Sequence, residues 1–81
     1  MSLILYHTQG CHLCEDARRL VLAALARHGL TADALECVEI ADAPDLLERY
    51  GLIIPVLRES ASGCELNWPF GLEEIDGLLE K

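Results

Sequence analysis

Apolar positions along this chain change their period several times, and each change marks an element. Leu3-Ile4-Leu5-Tyr6-His7 is a short apolar run of the kind a buried strand shows. Thr8-Gln9-Gly10 breaks it. From about Cys11 to His28, the residues Leu13, Ala17, Leu20, Val21, Ala24 and His28 recur at spacings of three and four, which predicts a helix. Leu22, Leu25 and Ala26 widen that stripe, so burial over much of the helix circumference is expected. Gly29 stands where a left-handed residue ends a helix. Leu35 to Ile40 reads as a second strand with rough alternation. Asp42-Ala43-Pro44-Asp45 is a helix start, with Asp42 as the expected cap and Pro44 in a first turn that needs no N–H from it. Leu46, Leu47 and Tyr50 outline its apolar face, and Gly51 closes it. Ile53 to Leu57 is a third strand. Ser60-Ala61-Ser62-Gly63 is a turn, and Cys64 to Leu66 is a short fourth strand that closes a hairpin. Leu72, Ile75, Leu78 and Leu79 mark a last short helix.

The order is therefore β-α-β-α-β-β-α, an α/β class. The first βαβ unit should be parallel with a right-handed crossover, and the closing hairpin adds antiparallel strands. A mixed four-stranded sheet with helices on both faces follows. Eighty-one residues suffice for one small core, and no repeat or linker divides them, so 1–81 is read as a single domain.

Composition narrows the function. Six Lys plus Arg against 14 Asp plus Glu give a net charge of -8, and 52% of residues are hydrophobic. An acidic chain lacks the basic stripe that phosphate contacts need, so nucleic acid is not an expected partner. The same sign argument removes an anionic membrane surface. The longest apolar run, Leu20 to Ala26, is seven residues, far short of the roughly 20 that span a bilayer. The opening Met1 to Tyr6 has no basic flank and no small-residue cleavage site, and reads as a strand rather than an export signal. A soluble, cytoplasmic monomer is the expectation.

The chemistry lies in the cysteines. Cys11-His12-Leu13-Cys14 is a C-x-x-C, whose common intracellular meanings are a redox dithiol or half of a zinc site. Cys37 and Cys64 stand alone, and His7, His12 and His28 form no paired spacing with them, so no metal site is expected. The pair falls where the first strand gives way to the long helix. There, free N–H groups and the positive end of the dipole favour a Cys11 thiolate. Cys14, one turn on, can close a disulfide with it or resolve a mixed disulfide. Glu15 and Asp16 complement the dipole but oppose the thiolate by like charge. His12, when protonated, would favour the thiolate; an exposed first-turn position is the alternative. Leu13 is expected in the core. Tyr6, Trp68 and Phe70 are expected to pack. Cys37 and Cys64 are expected as buried, inert thiols, with Cys64 the candidate of the two for a third redox role because it lies on the hairpin after Pro55. Arg58 is read as a solvated strand end, or else as a contact for an anionic substrate.

The C-x-x-C after Leu3-Ile4-Leu5-Tyr6, followed some 40 residues later by Ile54-Pro55-Val56, resembles the glutaredoxins. Tyr50-Gly51-Leu52-Ile53-Ile54-Pro55-Val56-Leu57 and Glu65-Leu66-Asn67-Trp68-Pro69-Phe70 are similar to segments of compact glutaredoxin-like proteins, and the resemblance spans essentially the whole chain. It implies a thioredoxin fold and a cis Ile54–Pro55 bond beside Cys11. It further implies a backbone segment before Pro55 that pairs with an incoming peptide or glutathione. The expected activity is thiol–disulfide oxidoreduction in cell redox homeostasis, with Cys11 and Cys14 catalytic and His12, Ile54 and Pro55 binding substrate. No bound cofactor is expected. Glutathione or a dithiol protein is the expected reductant, and a disulfide-containing protein or small thiol the partner.

The departures from the family pattern concern glutathione. His12 and Leu13 replace the usual Pro-Tyr, and His7, Thr8 and Gln9 stand where a lysine is common. Ile53-Ile54-Pro55 replaces Thr-Val-Pro, and no Gly-Gly with an acidic pair follows the hairpin. An acidic surface without these grips holds anionic glutathione poorly. The alternative reading is a thioredoxin-fold binding module without turnover, and a third is metal or iron–sulfur binding through Cys11 between two chains.

Overall fold

The computed structural model describes residues 2–80; the two terminal positions of the expected 1–81 domain lie outside them. The strands are β1 (Leu3–His7), β2 (Leu35–Glu39), β3 (Val56–Glu59) and β4 (Glu65–Asn67), and the helices are α1 (His12–Arg27), α2 (Pro44–Tyr50) and α3 (Leu72–Leu79). The expected β-α-β-α-β-β-α order is present, with one added 3-10 turn at Ala32–Ala34 before β2. The sheet runs β2-β1-β3-β4. Strand β1 is parallel to β2, with Leu5 opposite Cys37, and antiparallel to β3, with Tyr6 opposite Val56. Strands β3 and β4 form the predicted hairpin.

Helices cover both faces. On one, Ala17, Val21, Ala24 and Leu25 of α1 and Ile75, Leu78 and Leu79 of α3 pack against Leu3, Leu5 and Leu57. On the other, Tyr50 of α2 joins Tyr6, Ile40 and Val56, with the two tyrosine rings stacked 4.3 Å apart. Successive residues of a strand point to opposite faces, which is why Leu5 and Tyr6 serve different cores.

Helix α1 ends as its glycine predicts. Gly29 adopts φ +71°, and its N–H and that of Leu30 return to the Ala26 and Leu25 carbonyls at 3.1 and 2.9 Å, the paired bonds of a Schellman cap. Nearby, Asp76 of α3 ties down the end of α1 through His28 Nε2 at 2.9 Å and Arg27 at 3.4 Å.

Several local expectations are corrected. The buried stripe of α1 is narrow, because Leu20 and Leu22 are only half-buried and Ala23 and Ala26 are exposed. Ala43, not Asp42, is the N-cap of α2, and no side chain bonds there. Leu47 is exposed, since this short helix meets the sheet along one side only. Strand β3 starts at Val56 rather than Ile53, because the Ile53 and Ile54 N–H groups fold back onto the Tyr50 carbonyl at 2.9 and 3.0 Å.

Candidate functional site

The loop after β1 delivers the first cysteine to the start of α1. Gly10 turns the chain at φ +77°, a conformation that lacks the Cβ clash other residues meet. Cys11 follows with extended backbone as the N-cap, and the Cys14 N–H donates to its sulfur at 3.2 Å. That sulfur therefore occupies the place of a capping oxygen, against the free N–H groups of the first turn, where negative charge is favoured. Cys11 and Cys14 lie at disulfide distance, with Cα atoms 5.2 Å apart. The two sulfurs are not equivalent. Cys11 is half-buried and reachable, whereas Cys14 is only 4% exposed on the inner side of the helix.

Pro55 lies at the same end of the sheet. Val56 is opposite Tyr6, so Pro55 falls level with His7, where the loop to Cys11 begins. The Ile54–Pro55 bond is cis, as the resemblance implies. The Ile54 N–H is already bonded to Tyr50, so the group this segment can offer is the Ile54 carbonyl. The Pro55 carbonyl accepts from the Trp68 N–H at 3.3 Å. This links the segment to a second cis bond, Trp68–Pro69, which no local pattern in the sequence signals.

A cleft of about 350 Å³ opens between the loop 8–10, the first turns of α1 and the edge strand β2. Cys11 and Cys14 line it, together with His7, Thr8, Gln9, Glu15 and Arg18. Cys37 lines it too. This overturns its expected burial: Cys37 is exposed, because β2 is an edge strand and the narrow stripe of α1 leaves its outer end uncovered. Cys64 is only partly buried, and lies apart in a groove beside Gly77 and Leu78 of α3. The closer third cysteine is thus Cys37, not Cys64. Strand alternation placed Cys37 on the α1 face; only its position at the sheet edge exposes it.

The other candidates separate. The His12 side chain is 94% exposed, with Nδ1 3.6 Å from Glu15 Oε2. Leu13 is 50% exposed rather than in the core, since the inner face of this turn is taken by Cys14. With Ile53 and the fully exposed Leu52, it adds apolar surface to the segments that carry the site. Arg58 is paired within the sheet: it lies 3.7 Å from Glu65 on the neighbouring strand. The Tyr50 hydroxyl donates to the same Glu65 carboxylate at 2.5 Å, and burial, followed by that carboxylate, holds the phenol above its ordinary range. Tyr6 stacks on Tyr50, and Trp68 meets Phe70 edge-on at 5.1 Å, so these aromatics pack. Among the described residues, no group of three or more His, Cys, Asp or Glu is arranged to hold a metal ion.

A four-stranded mixed sheet with a C-x-x-C pair at the start of its first helix and a cis-proline level with the end of β1 defines a thioredoxin-fold protein with a redox-type centre. The family is more specific: the glutaredoxin-like domain (DUF836) matches residues 2–80, and the chain belongs to it. The crystal structure of the structural genomics target protein XcR50 from X. campestris is similar at 39% identity and TM-score 0.75, over 98% of this chain and 96% of that one. Its solution structure gives 40% identity and TM-score 0.73, over 99% and 94%. Thioredoxin 1 from Thermosipho africanus shares the fold at TM-score 0.68 and 11% identity, over 99% of this chain and 91% of that one. No curated protein matches the chain.

Proposed function

We propose that the protein is a thiol–disulfide oxidoreductase that works through Cys11 and Cys14. The observation that carries this reading is their unequal placement: a reachable sulfur at the helix N-cap and a buried one a turn behind it. In the reduced form, the Cys11 thiolate is favoured by the helix end and attacks a substrate disulfide. One substrate sulfur leaves as a thiolate, and the other is held as a mixed disulfide on Cys11. Cys14 then attacks the Cys11 sulfur, releases the second substrate thiol and closes the Cys11–Cys14 disulfide. Glutathione or a dithiol protein returns two electrons to restart the cycle, so no bound cofactor is required.

The Ile54 carbonyl beside Pro55 accepts a backbone N–H from the substrate, and His12 contacts the substrate from the exposed side of the first turn. The partner is a disulfide-bearing protein or small thiol, handled by a monomer in the cytoplasm for cell redox homeostasis. Among the described residues, no helix is long and apolar enough to cross a membrane.

Turnover of hydroxyethyl disulfide by the wild type, Cys11→Ser and Cys14→Ser proteins tests the mechanism. Cys11→Ser is expected to fall to the uncatalysed rate, and Cys14→Ser to accumulate a mixed disulfide on Cys11 that intact mass detects. Wild-type turnover in the Cys11 variant would refute the mechanism.

A further inference from the structure

We propose that Cys37 is a third working thiol of this centre: it holds a small carboxylate-bearing thiol as a mixed disulfide inside the cleft, from which Cys11 removes it. This inference rests on the dithiol reading above. It stands on two placements. Cys37 is exposed on the edge strand, within reach of small disulfides from solvent. It also lines the same cleft as Cys11 and the deeply buried Cys14. An open volume of about 350 Å³ lies among the three, at the small end of the range for small-molecule sites. A void of that size has room for a bound small thiol between the sulfurs. Arg18, which shares this lining with Glu15, offers positive charge to a carboxylate in a chain of net charge -8.

The chemistry balances without a further oxidant. The Cys37 thiolate attacks a small disulfide RSSR; the S–S bond breaks, RS⁻ leaves and Cys37–S–S–R forms. The Cys11 thiolate then attacks the R sulfur, which restores the Cys37 thiolate and moves R onto Cys11. Cys14 displaces RS⁻ as in the main cycle, and a dithiol reductant reopens the Cys11–Cys14 disulfide. The protein would thereby strip adducts from its own edge strand.

The test uses oxidised glutathione as the probe. Cys64→Ser and Cys11→Ser/Cys64→Ser proteins are loaded with it, and the adduct is assigned by peptide mass. Dithiothreitol is then added at a level where the adduct of the double variant lasts minutes. The expected result is a Cys37 adduct in both proteins, lost at least about tenfold faster when Cys11 is present, because a thiol in the same cleft acts at a high effective concentration. Equal lifetimes overturn the proposal, as does the absence of an adduct at Cys37 or a direct disulfide from Cys37 to Cys11 or Cys14. Turnover of hydroxyethyl disulfide by the Cys64→Ser protein separates the two readings. If it is absent, the dithiol reading falls and takes this one with it; if it persists alongside equal lifetimes, only the role of Cys37 falls.

Discussion

The two ends of the sheet are built on opposite terms. At the end where β2 begins and α1 and β3 finish, charged and polar groups are tied to fixed partners. The Glu59 carboxylate is buried and accepts the Ala61 and Ser62 N–H groups at 2.9 and 2.8 Å. Ser2 and Ser60 bond at 2.6 Å, and Asp76 holds His28 and Arg27. At the other end, where β1 finishes and β3 begins, the chain carries an open cleft, two cis-prolines and a cysteine pair. Leu13, Ile53 and Leu52, on the segments beside that pair, are exposed. A small domain has only a few kcal/mol of net stability. Closing one end with satisfied hydrogen bonds leaves the other free to keep groups whose use lies in chemistry.

This contrast can be broken most severely through the packing that joins the two ends. Ile75 of α3 is fully buried beneath Leu3, Leu5 and α1. Ile75→Ala is expected to remove about 2–5 kcal/mol, read from the denaturation midpoint at constant m-value; a loss below about 1 kcal/mol would mean that the site collapses around the deletion.

A smaller effect, confined to a pH window, tests the closed end. The Ala61 and then the Ser62 N–H groups hold the Glu59 carboxyl below its ordinary value. A depressed folded pKa contributes stability that is fully present above the unfolded carboxylate value, about 4.3, and is lost as pH falls through the folded value. The stability gap between the wild type and Glu59→Gln should hold from neutrality down to that region and narrow below it. A gap independent of pH would place the benefit in packing rather than charge.

The smallest effect is expected at the open end. Leu52→Ser, at a fully exposed position, should leave stability within about 0.5 kcal/mol of the wild type. A larger loss in the same denaturation experiment would show that this loop packs after all.

Much of the frame was readable in the chain, because local rules suffice for it. The three-and-four spacing in α1, the Gly29 terminator and the C-x-x-C after a broken apolar run each concern residues close in sequence. The turn at residues 60–63 is equally local. The cis Ile54–Pro55 bond came instead through the family resemblance of distant segments. Boundaries set by competing hydrogen bonds are not legible locally: the apolar run from Ile53 looks like a strand, yet its first N–H groups turn back to the Tyr50 carbonyl. Capping by Asp42 was locally allowed, but Ala43 takes the position.

Local rules alone set the order of elements, the class of fold and the placing of two cysteines at a helix start. Periodicity, glycine and spacing act over a few residues and do not wait for the rest of the chain. Which sulfurs share a space is settled by the packing of elements distant in the chain. Cys37 and Cys64 look alike in the sequence, each a single thiol in or beside a strand, and alternation states which face a side chain takes. Whether that face is covered depends on strand order and on how far a helix from elsewhere reaches. The sheet order leaves β2 at the edge and α1 too narrow to cover it, so Cys37 opens onto the dithiol cleft while Cys64 lies beside α3.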